Sequence, residues 1–378
     1  MLAAPHPEEF ILVLAARGER TEAEHHTLRE LITSADMGRL FETACSNQVH
    51  HVVGDGLLRS ELLAPDSAWA LELASNAVAK ERLFEAVRTV SAALDSVGIA
   101  HALVESASVA VATAMPLRAL GSGDVDIIIE RGSLARALSI CAGYGFVPEP
   151  RDGRTRTSRV ELVHVVDDRP LRIEIGEVTF ERHWTPLPFP PLEARWLSRR
   201  TRTSCGLPVL SPADLLVQVA IHTSMHSFVR APGLRLYVDI DRVVRLGGID
   251  WPEVVAQLVS ARARNRGWLA FELATELLGT PIPMSARAEL GRRTKGRALE
   301  ALMRAESVFD RGRPRLARGK ALLLDVALED EGASNWVTRN LAPSREWLER
   351  EFGDGRSQSR ASLQLVRLLR ATSTWQPR

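Results

Sequence analysis

The chain has 378 residues, 45% hydrophobic and 25% charged, with a formal net charge of +1. That length suits one large domain or two to three modest ones, and the near-neutral charge excludes a global field that would draw in nucleic acid or an anionic membrane. The three cysteines, Cys45, Cys141 and Cys205, are widely spaced with no CxxC, which excludes a disulfide framework and a cysteine-built zinc site.

The first residues, MLAAPHPEEF, lack the basic region of a secretory signal. No apolar stretch reaches the roughly 18 residues of a membrane span, so a cytoplasmic protein is expected. Residues 1–97 form a helical N-terminal region, with apolar positions such as Leu28, Leu31 and Ile32 recurring at helical spacing. A long helical pattern runs from Ala68 to Leu94, with Gly98 placed as a C-cap. The pairs His25-His26 and His50-His51 have no supporting partners in the sequence and are expected at the surface.

The pattern changes over 98–184, a compact α/β core. Ile99–Val104 (IAHALV) predicts a strand, and the small residues after it can begin a helix. Val125–Ile129 (VDIII) is a β-branched strand, and Leu134–Ala142 a helix capped by Ser133. Val160–Val166 and Leu171–Ile175 follow as two strands joined by a turn at 167–170. A proline-rich linker is expected over 185–210. Ser211-Pro212-Ala213-Asp214 is a helix start with a serine cap, proline at N1 and an acidic N3. From there a helical C-terminal region runs over 211–378, with breaks near Gly247-Gly248, Pro281–Pro283, Arg311–Pro314 and Gly353–Gly355. The order predicts an α+β protein: a small mixed sheet flanked by helical N- and C-terminal regions.

The chemistry is concentrated in GSGDVDIIIE, residues 121–130. On a strand, residues two apart share a face, so Asp124 and Asp126 point the same way, with Val125 and Ile127 opposite. Two close carboxylates repel unless a cation lies between them. Magnesium, which takes hard oxygen ligands and substrate phosphates, suits such a pair; the alternative is a strand-edge DxD that caps a turn or pairs with an arginine. Glu174, in LRIEI, is the expected third carboxylate; by alternation Glu177 lies on the other face. On the first helix after the linker, His222 and His226 share a side, but HTSMH lacks the glutamate of a zinc-protease HExxH. Arg235 and Asp239 lie four apart on the next helix. By spacing alone they can join an interhelical network in which His226 bonds Asp239 or Asp241. There is no P-loop, GxGxxG or GxSxG motif, and with few aromatics a single-stranded nucleic acid is not an expected partner.

Taken in order, these motifs resemble the nucleotidyltransferase superfamily of the DNA polymerase β type, and within it the bacterial group of uncharacterised nucleotidyltransferases (family 5). The matches are Ser106-Ala107 after the first strand, Arg118, Gly123-Asp124-Val125-Asp126-Ile127, and Ile173-Glu174-Ile175. They continue with Ser211–Leu215, His222–His226 and Leu234–Ile240. They span about residues 20–285. The resemblance implies Asp124, Asp126 and Glu174 as catalytic residues and ligands of Mg²⁺ or Mn²⁺. It implies Ser106, Ser122, Gly123 and Arg118 as nucleotide contacts, and His222, His226, Arg235 and Asp239 as substrate or phosphate contacts. The implied reaction transfers NMP from an NTP, with ATP the expected nucleotide, to a hydroxyl of a small molecule or peptide, releasing pyrophosphate. A kinase using the same metals, or a binding module without turnover, are the alternatives. One departure stands out: Glu105-Ser106 occupies the place of the family's Lys-Gly, and a glutamate there would repel phosphate.

Overall fold

The structure, a computed structural model, describes residues 7–149, 158–167, 169–180, 190–226, 233–291, 318–345, 348–349 and 359–365. The breaks expected near Arg311–Pro314 and Gly353–Gly355, and most of the proline-dense stretch at 185–193, lie outside these residues.

Four short helices open the chain: α1 (Pro7–Ala16), α2 (Glu22–Ser34), α3 (Met37–Ser46) and α4 (His50–Arg59). Thr21 and Glu24 start α2 with a reciprocal capping box. α5 (Ala68–Ser96) is 29 residues long, and the Ser67 hydroxyl accepts from the Ala70 amide at its start. The sheet region follows with β1 (His101–Val104), α6 (Glu105–Ala112), a 3-10 turn at Leu117–Ala119, β2 (Asp124–Ile129), α7 (Leu134–Gly143), β3 (Val147–Pro148), β4 (Arg159–Val166) and β5 (Arg169–Gly176). Within the segment expected as a linker, the described residues form α8 (Glu193–Ser198), β6 (Thr201–Arg202) and β7 (Pro208–Val209). β7 joins the sheet beside β1 through Leu103 and Val209. The helical part continues as α9 (Pro212–His226), α10 (Leu234–Leu246), α11 (Trp251–Ser260), α12 (Arg264–Leu278) and α13 (Met284–Gly291), then helices at Arg318–Ala327 and Ala333–Leu341.

The sheet order is β3-β4-β5-β2-β1-β7-β6. β2 runs parallel to β5 and antiparallel to β1, so the sheet is mixed as the sequence predicts. Alternation divides the strands between two cores. Leu103, Val125, Ile127, Ile129, Ile173 and Ile175 pack with Leu83, Val87 and Leu94 of α5 and Cys141 of α7. Val104 and Ile128, on the opposite face, pack with α9 and α10, for example Leu215 and Tyr237. The aspartates of β2 therefore look toward the C-terminal helices, at the end of β2 where α6 begins.

Candidate active site

Register brings the carboxylates together. Asp126 pairs with Glu174 across the parallel β2–β5 ladder and with Val104 across β2–β1, and Asp124 precedes it by one strand repeat. Asp126 is buried. Burial and the Glu105 charge push its carboxyl well above the usual carboxylate range, against the pull of Arg159. Glu177 lies elsewhere, as alternation predicts, and accepts from the Gly132 and Leu134 amides at 2.8 and 3.0 Å. It caps α7, a role expected of Ser133, whose side chain makes no capping bond.

A cation stands among these acids. Arg159, at the start of β4, donates to Asp126, and its Nε lies 2.7 Å from a Glu174 oxygen. Its Nη2 is 3.5 Å from Glu105, and Nη1 donates to the Thr179 carbonyl at 2.8 Å. Gly176, its register partner, leaves room for it, since a Cβ there would come within 2.4 Å of Arg159 Cγ. With Arg159 between them, Asp124, Asp126 and Glu174 do not offer three oxygens within 4.8 Å of one another.

The turn before β2 is pinned from behind. The Ser122 hydroxyl donates to the carbonyl and carboxylate of Asp124 at 2.9 and 2.8 Å. The Ser122 carbonyl takes a hydrogen bond from the buried Lys80 ammonium, which also senses the Asp124 charge. Asn76, one helical turn before Lys80, donates to the carbonyls of Arg118 and Leu120 at 3.0 Å each. Arg118 itself pairs with the fully buried Asp55 of α4 at 2.7 Å, so the guanidinium fastens the 3-10 turn to α4. No side chain crowds Gly123.

α6 begins at Glu105, whose φ of +59° is left-handed for a non-glycine residue. Its amide donates to Gln218 at 3.2 Å, and its carboxylate lies 3.4 Å from His222 Nδ1. The family's glycine-bearing turn is thus filled here by an acid that faces Arg159 and the carboxylates. The Ser106 hydroxyl donates to Asp239 at 2.6 Å. On the neighbouring helix Asp239 accepts from Ser106, and Asp241 accepts from Arg245 and Thr280. His226 lies edge-on to His222, 4.5 Å between centroids.

A small cleft of about 20 Å³, room for one water, is lined by Ser106, Gly121, Ser122, Arg235, Asp239 and Arg242, among others. Arg235 Nε and Arg242 Nε and Nη2 are buried there without a hydrogen bond from the described residues. Sequence reasoning missed Arg159, Lys80, Gln218 and Arg242. Alternation carried across the β4–β5 hairpin from Glu174 places Arg159 on the carboxylate face and could have found it. Lys80 had its own signal as an isolated lysine in an arginine-rich chain.

His222 is buried, and burial with the Arg235 and Arg159 charges pushes it down to about 3. A histidine depressed on folding adds stability above its unfolded value near 6.5 and loses it as pH falls toward 3. Relative to His222→Gln, the wild type is expected to lose about 2–3 kcal/mol between pH 7 and 4.5. Urea midpoints of both proteins across that range measure it, and parallel curves would contradict it.

The expectation that His50 and His51 are surface residues is corrected by the structure. Both rings are largely buried at the start of α4, their centroids 3.9 Å apart and their planes tilted by 41°, and they face Glu72 of α5. Burial lowers both pKa values, that of His51 to about 3. At neutral pH the contacts with Glu72 are therefore not ion pairs.

The mixed sheet, the turn before an hDhDh strand and the acid on its parallel neighbour define a nucleotidyltransferase-fold protein. The chain belongs to the family of uncharacterised nucleotidyltransferases, whose pattern matches residues 33–279. Among solved structures, an antigenic nucleotidyltransferase-like protein from Paracoccidioides brasiliensis is 17% identical, with a TM-score of 0.34, over 57% of this chain and 95% of that one. A tRNA nucleotidyltransferase complexed with a primer tRNA and an incoming ATP analog is 14% identical, with a TM-score of 0.18, over 75% of this chain and 91% of that one. No curated protein matches the chain. Among the described residues, no helix is long and apolar enough to cross a membrane.

Proposed function

We propose that this chain is a metal-dependent nucleotidyltransferase, moving NMP from an NTP, with ATP the expected donor, to a hydroxyl of a small molecule or peptide. The observation that carries the reading is the meeting of Asp126 and Glu174 in register, with Asp124 on the same face beside the Gly121–Gly123 turn. The donor set fits Mg²⁺ or Mn²⁺. Every ligand is a carboxylate oxygen, and Asp124, Asp126, Glu174 and Glu105 together outweigh the charges of Arg159 and Lys80. Asp124, Asp126 and Glu174 would hold the ion. When bound, it supplies charge neutralisation at the phosphates and lowers the pKa of a nearby hydroxyl.

The remaining work falls to the protein. Ser106, Ser122 and Gly123 offer hydroxyl and backbone donors to phosphate oxygens. Arg235 and Arg242 line the small cleft beside Ser106 and Ser122, and guanidinium groups are suited to pairing with phosphate oxygens. The acceptor oxygen forms its bond to the α-phosphorus, the α–β phosphoanhydride breaks, and the acceptor proton passes to Glu174 as pyrophosphate leaves. Catalysis is mainly positioning and electrostatics. The three cysteines are free, in keeping with a cytoplasmic enzyme.

One observation favours a second reading. Arg159 lies among the carboxylates where a cation would sit, as in a nucleotidyltransferase fold kept as a binding module. Melting the protein with Mg²⁺ and each of the four NTPs separates the two. A stabilisation of about 2–3 kcal/mol by one NTP at 100 times its Kd supports the enzyme. No shift with any NTP gives the binding module instead. With the stabilising NTP, α-labelled product reports nucleotidyl transfer, and γ-labelled product would mean a kinase.

A further inference from the structure

We propose that His50, His51 and Glu72 form a second metal site, separate from the carboxylate cluster, for zinc or a similar transition cation that ties α4 to α5. The proposal is independent of the reaction assigned above.

The geometry is that of a ligand set rather than of hydrogen bonds. One nitrogen from each imidazole and one Glu72 oxygen all lie within 4.8 Å of one another. Among the described residues, theirs is the one His, Cys, Asp or Glu cluster of three that meets this distance. The Nε2 atoms of His50 and His51 stand 3.4 and 4.0 Å from Glu72 Oε1. Both distances exceed a good hydrogen bond. Tetrahedral zinc with bonds of about 2.0–2.1 Å separates its ligand atoms by about 3.3–3.4 Å. His50 and Glu72 already stand at that edge length, and His51 Nε2 stands at 4.0 Å from the same Glu72 oxygen.

The two rings present their Nε2 atoms to the same Glu72 oxygen, and a cation bound there would give both a common partner. Their Nδ1 atoms are buried without a hydrogen bond from the described residues. Imidazole with one carboxylate suits zinc and its neighbours, not magnesium.

The surroundings are stiff. Phe41 stands edge-on to His50 and to Trp69, at 6.1 and 5.0 Å. The Trp69 indole donates to the His50 carbonyl at 3.0 Å, and Gly54 leaves it room, since a Cβ there would approach its Nε1 to 2.6 Å. Glu72 is 41% exposed on its side chain, which leaves a way in for the ion. The site also backs the catalytic turn: a Cβ on Gly121 would lie 3.5 Å from His51 Nδ1.

Cobalt(II), added to the chelator-stripped full chain, tests this. One equivalent is expected to give the visible ligand-field band of a nitrogen-bearing site and to raise the melting temperature by several degrees. Glu72→Gln, at an exposed position that does not threaten folding, and His50→Gln are expected to lose both effects, while Asp126→Asn keeps them. No band, a band that survives Glu72→Gln and His50→Gln, or a band lost in Asp126→Asn would each overturn the site.

Discussion

Asp126→Asn is expected to lower nucleotidyl transfer by about 10³-fold or more, the scale of losing a central electrostatic contact to the transition state, while leaving the fold at least as stable at pH 7. The two halves have one cause. Asp126 lies buried between Asp124, Glu174 and Glu105, and burial with the Glu105 charge raises its pKa despite Arg159. A carboxyl raised on folding binds protons more tightly in the native state, so its contribution falls as pH climbs through its unfolded value and on to the folded one. As pH rises above the unfolded value the wild type progressively gives up that contribution, and asparagine, isosteric and neutral, does not. A carboxylate kept for structure would behave in the opposite way, costing stability when neutralised. Pyrophosphate release and the melting temperature in chelator, read on both proteins, decide the point. Wild-type release from the variant would remove Asp126 from the reaction.

Arg159→Gln is expected to destabilise the metal-free protein by about 3–5 kcal/mol, the usual effect of removing one partner from a buried ion pair. Arg159 holds Asp126, Glu174 and Glu105 together from a side chain only 10% exposed. Without it those acids face one another at close range. Millimolar Mg²⁺ or Mn²⁺ is expected to restore most of the loss, because a divalent ion answers the same repulsion, and the variant should bind the ion more tightly than the wild type. The readout is the melting temperature of variant and wild type across a metal titration. If the variant melts low and no divalent ion lifts it, Arg159 is a permanent structural cation and the binding-module reading gains. If it melts like the wild type in chelator, the ion-pair account fails.

The parts of the site that share one strand or one helical turn were legible in the sequence. The period of two put Asp124 and Asp126 on one face, and the same rule put Glu174 with them and Glu177 away. The capping pattern located the start of α9, where the Asp214 amide donates to the Ser211 hydroxyl as expected, at 3.3 Å. What escaped depends on contacts that no spacing encodes. Arg159 acts across a hairpin and Lys80 from a helix far upstream. His50 and His51 read as surface residues because Glu72, their partner, belongs to the next helix. Arg118 fits the family's motif, yet Asp55, which holds it, carries no motif of its own. The strands β6 and β7 have two residues each, too few for any periodicity, so their segment looked like a linker.

α5 carries Glu72, Asn76 and Lys80 at four-residue intervals, facing in turn the two histidines, the carbonyls around Arg118 and the Ser122 carbonyl. At about 1.5 Å per residue this stripe is some 12 Å long. It works as a rigid lever with one end on His50 and His51 and the other on the turn that presents Asp124. The length of that lever is fixed more strictly than its composition. One residue inserted between Glu72 and Lys80 would turn one end about 100° against the other, which no local repacking could absorb. Evolution can therefore exchange side chains along α5 far more freely than it can lengthen or shorten it.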